Sequence, residues 1–233
     1  MRYTFNWPLV FSGQYLDWII EGLKTSLSLM LVSTVISLVL GVLICFGSMS
    51  KHRLIRFLSS AYVELCRNIP TLIWLMFFYY VFPEFFPEDI SRAINRSSAL
   101  NYWAAIAGLS ISSSGYISEI FRGGIYAVAK EQSSAAYSLG HSKAQIWRYV
   151  IWPQAMRNCY PPLVSRIIHN VQNTSLGLAI STHEIMWATR QIESITFRGL
   201  EMTIVSTVFF LVIAVILSLA ARLIEKFLLP IHN

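Results

Sequence analysis

The stretch TSLSLMLVSTVISLVLGVLICFGSMS, residues 25–50, contains no Asp, Glu, Lys or Arg. A helix needs about 20 mostly apolar residues to cross a bilayer, so this run predicts a transmembrane helix. Hydrophobic residues make up 55% of the 233-residue chain and charged residues only 13%. That balance is too apolar for a soluble domain of this size. The sequence therefore predicts an all-α membrane protein.

Further uncharged runs cover residues 68–83, 97–118, 167–183 and 202–221. When the two shorter runs are extended by their flanks, the chain is expected to cross the membrane at about 25–50, 61–83, 97–118, 158–183 and 202–221, which makes five spans. Residues 1–24 carry aromatic side chains beside isolated charges and are expected to lie at the outer membrane interface. Residues 25–228 are expected to form one five-span domain with a long loop at 120–157.

The basic residues predict the orientation of the spans. They flank the connections after the first, third and fifth spans: Lys51, Arg53, Arg56, Arg67, Arg122, Lys130, Lys143, Arg148, Arg157, Arg222 and Lys226. Cytoplasmic loops carry an excess of Lys and Arg, so the N-terminus is expected outside and the C-terminus in the cytoplasm. The net charge of +6 is then explained by this bias and by contact with anionic lipid, and it gives no reason to expect a nucleic-acid partner.

The sequence lacks the motifs of the common enzyme classes. It contains no Gly-x-x-x-x-Gly-Lys-Ser/Thr loop for nucleotide phosphates, and HEIMW at His183 lacks the second histidine of a zinc protease. Cys45, Cys66 and Cys159 are too scattered to indicate a metal site or a disulfide framework. We expect a membrane protein that is not itself an enzyme. A passive channel, a secondary transporter and a structural subunit remain open alternatives at this point, although five spans do not divide into two equal inverted repeats.

The predicted loop contains a polar hairpin, SSAAYSLGHSKAQIWRYVIWP, residues 133–153. Residues 131–139 favour a helix, and Gly140 can adopt the left-handed conformation that ends one. Ser142 and Gln145 have the spacing of a capping box, which predicts the start of a second helix. Taken alone, this pattern indicates an ordinary structured loop.

The spacing inside the hairpin is more specific. Ala135-Ala136, three residues, Gly140, nine residues, Val150, one residue, Trp152-Pro153 resembles the Glu-Ala-Ala…Gly…Ile-x-Leu-Pro motif of permease subunits of ABC importers. Further matches are YVELCRNIPTL (62–72), GYISEIFRGGI (115–125), WPQAMRNCYPPL (152–163) and QNTSL (172–176). Over residues 14–228 the chain is similar to the polar amino acid family of these permeases, and it looks most like the glutamate/aspartate members.

This resemblance implies a type I ABC importer permease fold in the bacterial inner membrane. It also implies four partners, namely a cytoplasmic ABC ATPase dimer, a second permease subunit of the same or a similar kind, an external solute-binding protein and the lipid bilayer. ATP and Mg would be bound by the ATPase, and this chain would bind no cofactor.

The resemblance assigns a coupling helix, which docks on the ATPase, to the hairpin. Its expected contact residues are Ser134, Ala135, Ala136 and Gly140, with Leu139 and His141 as neighbours. Two alanines permit close approach to a partner, and glycine permits a sharp exit. Ser134 stands where the motif has an acid, and Trp152 replaces a leucine. Either Glu131, three residues earlier, substitutes for the missing acid, or Ser134 simply caps the helix.

The fourth predicted span carries polar residues that indicate a substrate pathway. Arg166, Asn170 and Asn173 share one helical face, with His169 close by. An arginine at membrane depth costs about 2.5 to 3.5 kcal/mol on insertion scales, which makes it a candidate functional residue. Arg166 can bind a carboxylate through two N–H groups. The alternative is a structural ion pair with Glu64 or Glu119, or snorkelling toward the membrane interface.

The expected function is that of a permease subunit in an ATP-driven amino acid importer, with Glu64 as a further candidate in the pathway. Arg166 and the likeness to glutamate/aspartate permeases favour an acidic substrate. A basic or other polar amino acid remains an alternative.

Overall fold

The computed structural model describes residues 3–128 and 130–228, and within these ranges the regular structure is helical. The α-helices are, in chain order, α1 (Trp7–Val10), α2 (Gly13–Ser48), α3 (Arg53–Asn68), α4 (Thr71–Met76), α5 (Glu88–Asn95), α6 (Leu100–Tyr126), α7 (Lys130–Ser138), α8 (Lys143–Ile146), α9 (Trp152–Asn173), α10 (Ile185–Thr196) and α11 (Gly199–Leu228). A π-helical turn at Phe77–Val81 and a 3₁₀ turn at Phe82–Phe85 extend α4, a π-helical turn at Trp147–Ile151 joins α8 to α9, and a 3₁₀ turn at Thr174–Ile180 extends α9.

Helix α6 lies at the centre of the fold, with α2, α3, α4 and α9 packed around it. Its inward-facing positions are rich in buried serines, which are Ser110, Ser112, Ser113, Ser114 and Ser118. Small residues let neighbouring helices approach closely, and hydroxyl groups can form hydrogen bonds between helices inside a membrane. Because neighbouring helices shield α6 from the lipid, its surface does not need to be apolar on every side.

Helices α3 and α4 meet at a sharp bend. Ile69 is extended, with φ −93° and ψ 126°, and the segment Thr71–Phe85 lies at 106° to Arg53–Asn68. Pro70 explains the break, because proline has no N–H to donate and disfavours the helical conformation of the residue before it. The segment 61–83, predicted as one span, is therefore divided between two helices.

Among the described residues, α2 and α11 are long and apolar enough to cross a membrane, and the bent pair is a third candidate when its halves are taken together. The segments 97–118 and 158–183 lie largely in α6 and α9, which contain more polar residues. Helix α9 ends at Asn173, before the predicted end of its span. Helix α2 begins at Gly13, so the second half of segment 1–24 continues directly into the first span.

The first described residues are tied to the beginning of α11. The buried Glu201 carboxylate accepts hydrogen bonds from the Tyr3 hydroxyl and from the Asn6 backbone N–H, the latter at 3.1 Å. Arg198 Nη1 donates to the Thr4 carbonyl oxygen at 2.7 Å. These contacts fix residues 3–6 against the α10–α11 corner.

Candidate substrate cavity and coupling hairpin

A cavity of about 760 Å³ lies between α3, α6 and α9. It is lined by Arg67 of α3, by Tyr116, Glu119, Ile120, Gly123 and Gly124 of α6, by Ala127, and by Asn158, Pro162, Ser165, Arg166 and His169 of α9. The cavity thus extends along the α6–α9 contact, with charged groups contributed by all three helices. Such a concave site with a few converging polar groups is a candidate ligand site.

Arg166 is the central polar group of this cavity. Its Nη2 donates to Ser113 Oγ at 3.0 Å, and its guanidinium carbon lies 4.1 Å from the centre of the Tyr116 ring. Its Nε is buried and has no hydrogen-bond partner within the described part of the chain. A buried donor without an acceptor costs free energy, and Nε–H together with Nη2–H can bind a carboxylate bidentately. Arg166 therefore retains an unused donor for an anionic group.

The alternative ion pairs considered for Arg166 are not formed among the described residues. Glu119 accepts hydrogen bonds from Arg122 Nε at 2.8 Å and from Arg122 Nη2 at 2.6 Å, and it lies 3.8 Å from Arg67 Nη1. Glu64 is exposed and accepts a hydrogen bond from the Asn68 side chain. Glu119 and Arg122 thus form an ion pair within α6. Three guanidinium groups at the cavity and its edge thus face one carboxylate, which leaves an excess of positive charge.

Asn170 lies behind the cavity rather than in its lining. Its Oδ1 accepts a hydrogen bond from Ser113 Oγ at 2.6 Å, and its Nδ2 donates to Ser33 Oγ at 2.9 Å and to Thr34 Oγ1 at 3.2 Å. The side chain is buried, and both of its polar atoms are used by α2 and α6. In this arrangement Asn170 cannot contact a substrate.

Of the residues predicted for the pathway, the cavity brings together Arg166 and His169. Asn173 is the last residue of α9, and both Asn173 and Glu64 lie outside the cavity lining. The sequence prediction missed Arg67 and Tyr116, although both lie in motifs that carried the family resemblance. Helical periodicity identifies residues on one face, but it does not reveal which side chains a neighbouring helix contributes.

The hairpin has the predicted local structure. Gly140 follows α7 with φ +85°, and Ser142 and Gln145 form the predicted capping box at the start of α8. The prediction that Ser134 caps α7 is wrong, because α7 begins at Lys130 and Ser134 lies inside it. There the Ser134 carbonyl oxygen accepts a hydrogen bond from the Ser138 hydroxyl at 3.1 Å.

The predicted coupling residues differ in exposure. Ala136 is buried against the rest of the chain. The others are exposed, namely Glu131, Ser134, Ala135, Leu139, Gly140 and His141. Leu139 is 81% exposed although its side chain is large and apolar. The end of α7 therefore presents a surface on which a partner could dock.

Comparison with known proteins agrees with these features. Residues 18–229 match the family model described as "Binding-protein-dependent transport system inner membrane component". The arginine transport system permease protein ArtQ of Bacillus subtilis (strain 168) is 28% identical over 211 residues, which cover 91% of this chain and 92% of ArtQ. The glutamine transport system permease protein GlnP of Escherichia coli (strain K12) is 29% identical over 222 residues, which cover 95% of this chain and 97% of GlnP.

Solved structures show the same architecture. A crystal structure of an amino acid ABC transporter with histidines matches with a TM-score of 0.82 and 29% identity, over 96% of this chain and 99% of that chain. A chain of the MetNI methionine ABC transporter, 20% identical, matches with a TM-score of 0.72 over 92% of this chain and 98% of that chain, which supports the fold alone. The predicted all-α ABC permease fold is confirmed. The chain belongs to the family of binding-protein-dependent transport system inner membrane components.

Proposed function

We propose that this chain is the permease subunit of an ATP-driven amino acid importer in the bacterial inner membrane. The full-length similarity to permeases named for arginine and glutamine transport supports the amino acid class. The distribution of basic residues supports a cytoplasmic C-terminus and an external N-terminus. The chain is a translocation component, and ATP with Mg would be bound by a separate ATPase.

The observation that carries the pathway proposal is the unused Nε donor of Arg166 beside a cavity. Every free amino acid has an α-carboxylate, so a guanidinium can bind this common group whatever the side chain. The excess of positive charge from Arg67 and Arg166 supports an acidic substrate, glutamate or aspartate, and disfavours a basic one. The relatives do not decide this point, because their names include both arginine and glutamine.

The exposed end of α7 supports the proposed coupling role. Leu139 and the adjoining Gly140 present an apolar contact and a sharp turn at the surface, which would face the cytoplasm in the proposed orientation. In the importer, two identical or similar permease subunits would each dock this surface on a cytoplasmic ATPase dimer. ATP-driven movement of α7 would then reach α9, and through it the cavity, by the turn Trp147–Ile151. An external solute-binding protein would deliver the amino acid.

The pathway proposal is tested with the importer reconstituted in liposomes with its ATPase and its solute-binding protein. Arg166→Ala is expected to lower the uptake of L-glutamate by about tenfold or more, because a charge-assisted hydrogen bond contributes about 1.5 to 3 kcal/mol. Assembly with the ATPase should be retained. Arg166→Lys keeps the charge but loses the pair of parallel N–H donors. Its uptake should therefore lie between those of the unaltered protein and Arg166→Ala. Unchanged uptake by Arg166→Ala would contradict the proposed role, and loss of assembly would indicate a structural one.

The same liposomes separate the importer from a channel or a secondary transporter. Uptake is expected only when ATP is hydrolysed inside the liposomes. Uptake down a gradient without ATP would instead support a passive channel or a secondary transporter. A matched measurement with L-arginine tests the charge argument, since a cationic side chain should be disfavoured by the excess positive charge.

A further inference from the structure

The hydrogen bonds behind Arg166 have a fixed direction. A guanidinium can only donate, so Ser113 Oγ must accept from Arg166 Nη2 at 3.0 Å. The single hydroxyl hydrogen of Ser113 is then free to point to Asn170 Oδ1 at 2.6 Å. The two amide hydrogens of Asn170 go to Ser33 and Thr34 of α2. Arg166, Ser113, Asn170 and the two α2 hydroxyls thus form a relay of hydrogen bonds, which runs from α9 to α6, back to α9 and then to α2.

The middle of the relay is buried, whereas Arg166 and Thr34 at its ends are half-buried. Ser113 and Asn170 are each 1% exposed, and Ser33 is fully buried. In a site without water, a hydrogen-bonded network of this kind holds its members in one arrangement, because breaking any link leaves a buried polar group without a partner. The stacking of Arg166 on the Tyr116 ring supports one face of the guanidinium, but it does not fix rotation within the plane of the ring. The bond to Ser113 can fix that rotation.

We infer that Ser113, held by Asn170, is a positioning residue that orients the guanidinium of Arg166 toward an amino acid carboxylate. This inference rests on the proposed role of Arg166 in the pathway. Without the Ser113 hydroxyl, Arg166 keeps its charge and its contact with Tyr116 but loses its rotational restraint. The carboxylate then meets a guanidinium that is present but misaligned.

Helix α6 offers a matched control in the preceding residue. Ser112 is as buried as Ser113, but its hydroxyl is hydrogen-bonded to Thr71 Oγ1 at 2.7 Å, whereas Arg166 donates to Ser113. Ser112→Ala therefore removes an equally buried hydroxyl from the same helix. Any general loss of α6 packing should appear in both variants.

The experiment measures L-glutamate uptake and ATP hydrolysis in the reconstituted importer for Ser113→Ala, Ser113→Thr, Ser112→Ala, Arg166→Ala and the double variant Ser113→Ala/Arg166→Ala. Ser113→Ala is expected to lower the amount transported per ATP by about tenfold, the order expected for a hydrogen bond to a charged group. Ser112→Ala should leave the amount transported per ATP near that of the unaltered importer. Ser113→Thr should do the same, because threonine keeps the hydroxyl. The double variant should be no worse than Arg166→Ala alone, since the relay acts through Arg166.

The outcomes separate this inference from the proposed function. If Arg166→Ala transports normally, the proposed pathway role fails and the positioning role fails with it. If Arg166→Ala is impaired while Ser113→Ala matches Ser112→Ala, only the positioning role is overturned. The positioning role is also overturned if the two losses multiply in the double variant, because Ser113 would then act independently of Arg166. If Ser113→Ala does not assemble, Ser113→Cys replaces it, because cysteine has a similar volume and a weak acceptor. Ser113→Cys is expected to lower the amount transported per ATP in the same way. An unchanged amount per ATP would overturn the positioning role.

Discussion

The backbone nitrogen of Leu75 lies 2.8 Å from the position that a Cβ atom on Gly108 would occupy. Helix α4 therefore packs against α6 at a distance that only glycine permits. Gly108→Ala should force the two helices apart and destabilise the protein by about 1 to 3 kcal/mol, as overpacked sites commonly do. The measurement is the thermal unfolding midpoint of the purified protein in detergent.

Gly123, on the same helix, is the control for this prediction. A Cβ atom there would have nothing within 4 Å, so Gly123→Ala should leave the unfolding midpoint unchanged or raise it slightly through higher helix propensity. Equal midpoints for the two variants would show that α4 and α6 do not pack at the distance described.

Glu184 provides a prediction about pH. Its side chain is fully buried at the start of α10, outside the predicted spans. Burial raises the pKa of Glu184 to about 7, although the N–H groups of Met186 and Trp187 that donate to its carboxylate lower it. An unfolded glutamate has a pKa of about 4.3. The folded state thus binds the proton more tightly, and this contribution to stability is complete below about pH 4 and is lost as the pH rises through about 7.

Glu184→Gln should remove this pH dependence, because glutamine is always neutral. The unfolding midpoint of the unaltered protein is expected to fall between pH 5 and pH 8 by more than that of Glu184→Gln. Glu21→Gln is the control, since the Glu21 side chain is 68% exposed and pairs with Lys24 on the surface. If Glu21→Gln and Glu184→Gln change the pH profile equally, burial of Glu184 is not the cause.

The sequence predicts those features that depend on neighbouring residues. Residues 25–48 of the uncharged run lie in α2, and Ser142 with Gln145 forms the capping box of α8, because helix length and helix ends are set locally. The cavity depends on contacts between helices that are distant in sequence. Arg166 meets Tyr116 and Ser113 only because α6 and α9 pack together.

Asn170 illustrates the limit of periodicity. It shares a helical face with Arg166, and this spacing predicts a common role in the pathway. The structure buries Asn170 against Ser33 and Thr34 because α2 also packs against this part of α9. One face of α9 thus lines the cavity at Arg166 and contacts α2 one turn later at Asn170. The sequence of α9 alone does not reveal where α2 lies.

Leu139 is the exposed apolar residue from which we expect the largest effect on coupling. It is 81% exposed at the end of α7, and burial of such a side chain in a partner's cleft can contribute more than 1 kcal/mol to binding. Leu139→Ala is expected to weaken association with the ATPase by about tenfold, which corresponds to about 1.4 kcal/mol. Tyr149, 66% exposed on the same hairpin, is the control, and Tyr149→Ala should weaken association less. Binding of the ATPase to the permease in lipid nanodiscs measures both, and equal affinities would exclude Leu139 as an anchor.

Glu131 is the residue that could replace the acid missing at Ser134. Both side chains are exposed on α7, and three residues apart they lie on neighbouring positions of one helical face. If Glu131 supplies the negative charge to the ATPase, Glu131→Lys should weaken ATPase binding and coupled uptake together. Adding Ser134→Glu to that variant should restore both at least in part, because it returns an acid to the position that the motif uses.

The control for this prediction is Glu225→Lys, which reverses an exposed charge near the end of α11. It changes the net charge by the same amount and should leave ATPase binding unchanged, so a general electrostatic effect would be recognised by equal losses in the two variants.

Salt provides a second check, since an exposed ion pair is screened at high ionic strength. The difference between the original protein and Glu131→Lys should therefore shrink when ATPase binding is measured in about 0.5 M instead of about 0.1 M salt. A difference that persists unchanged would mean that Glu131 acts through the structure of α7 rather than through its charge.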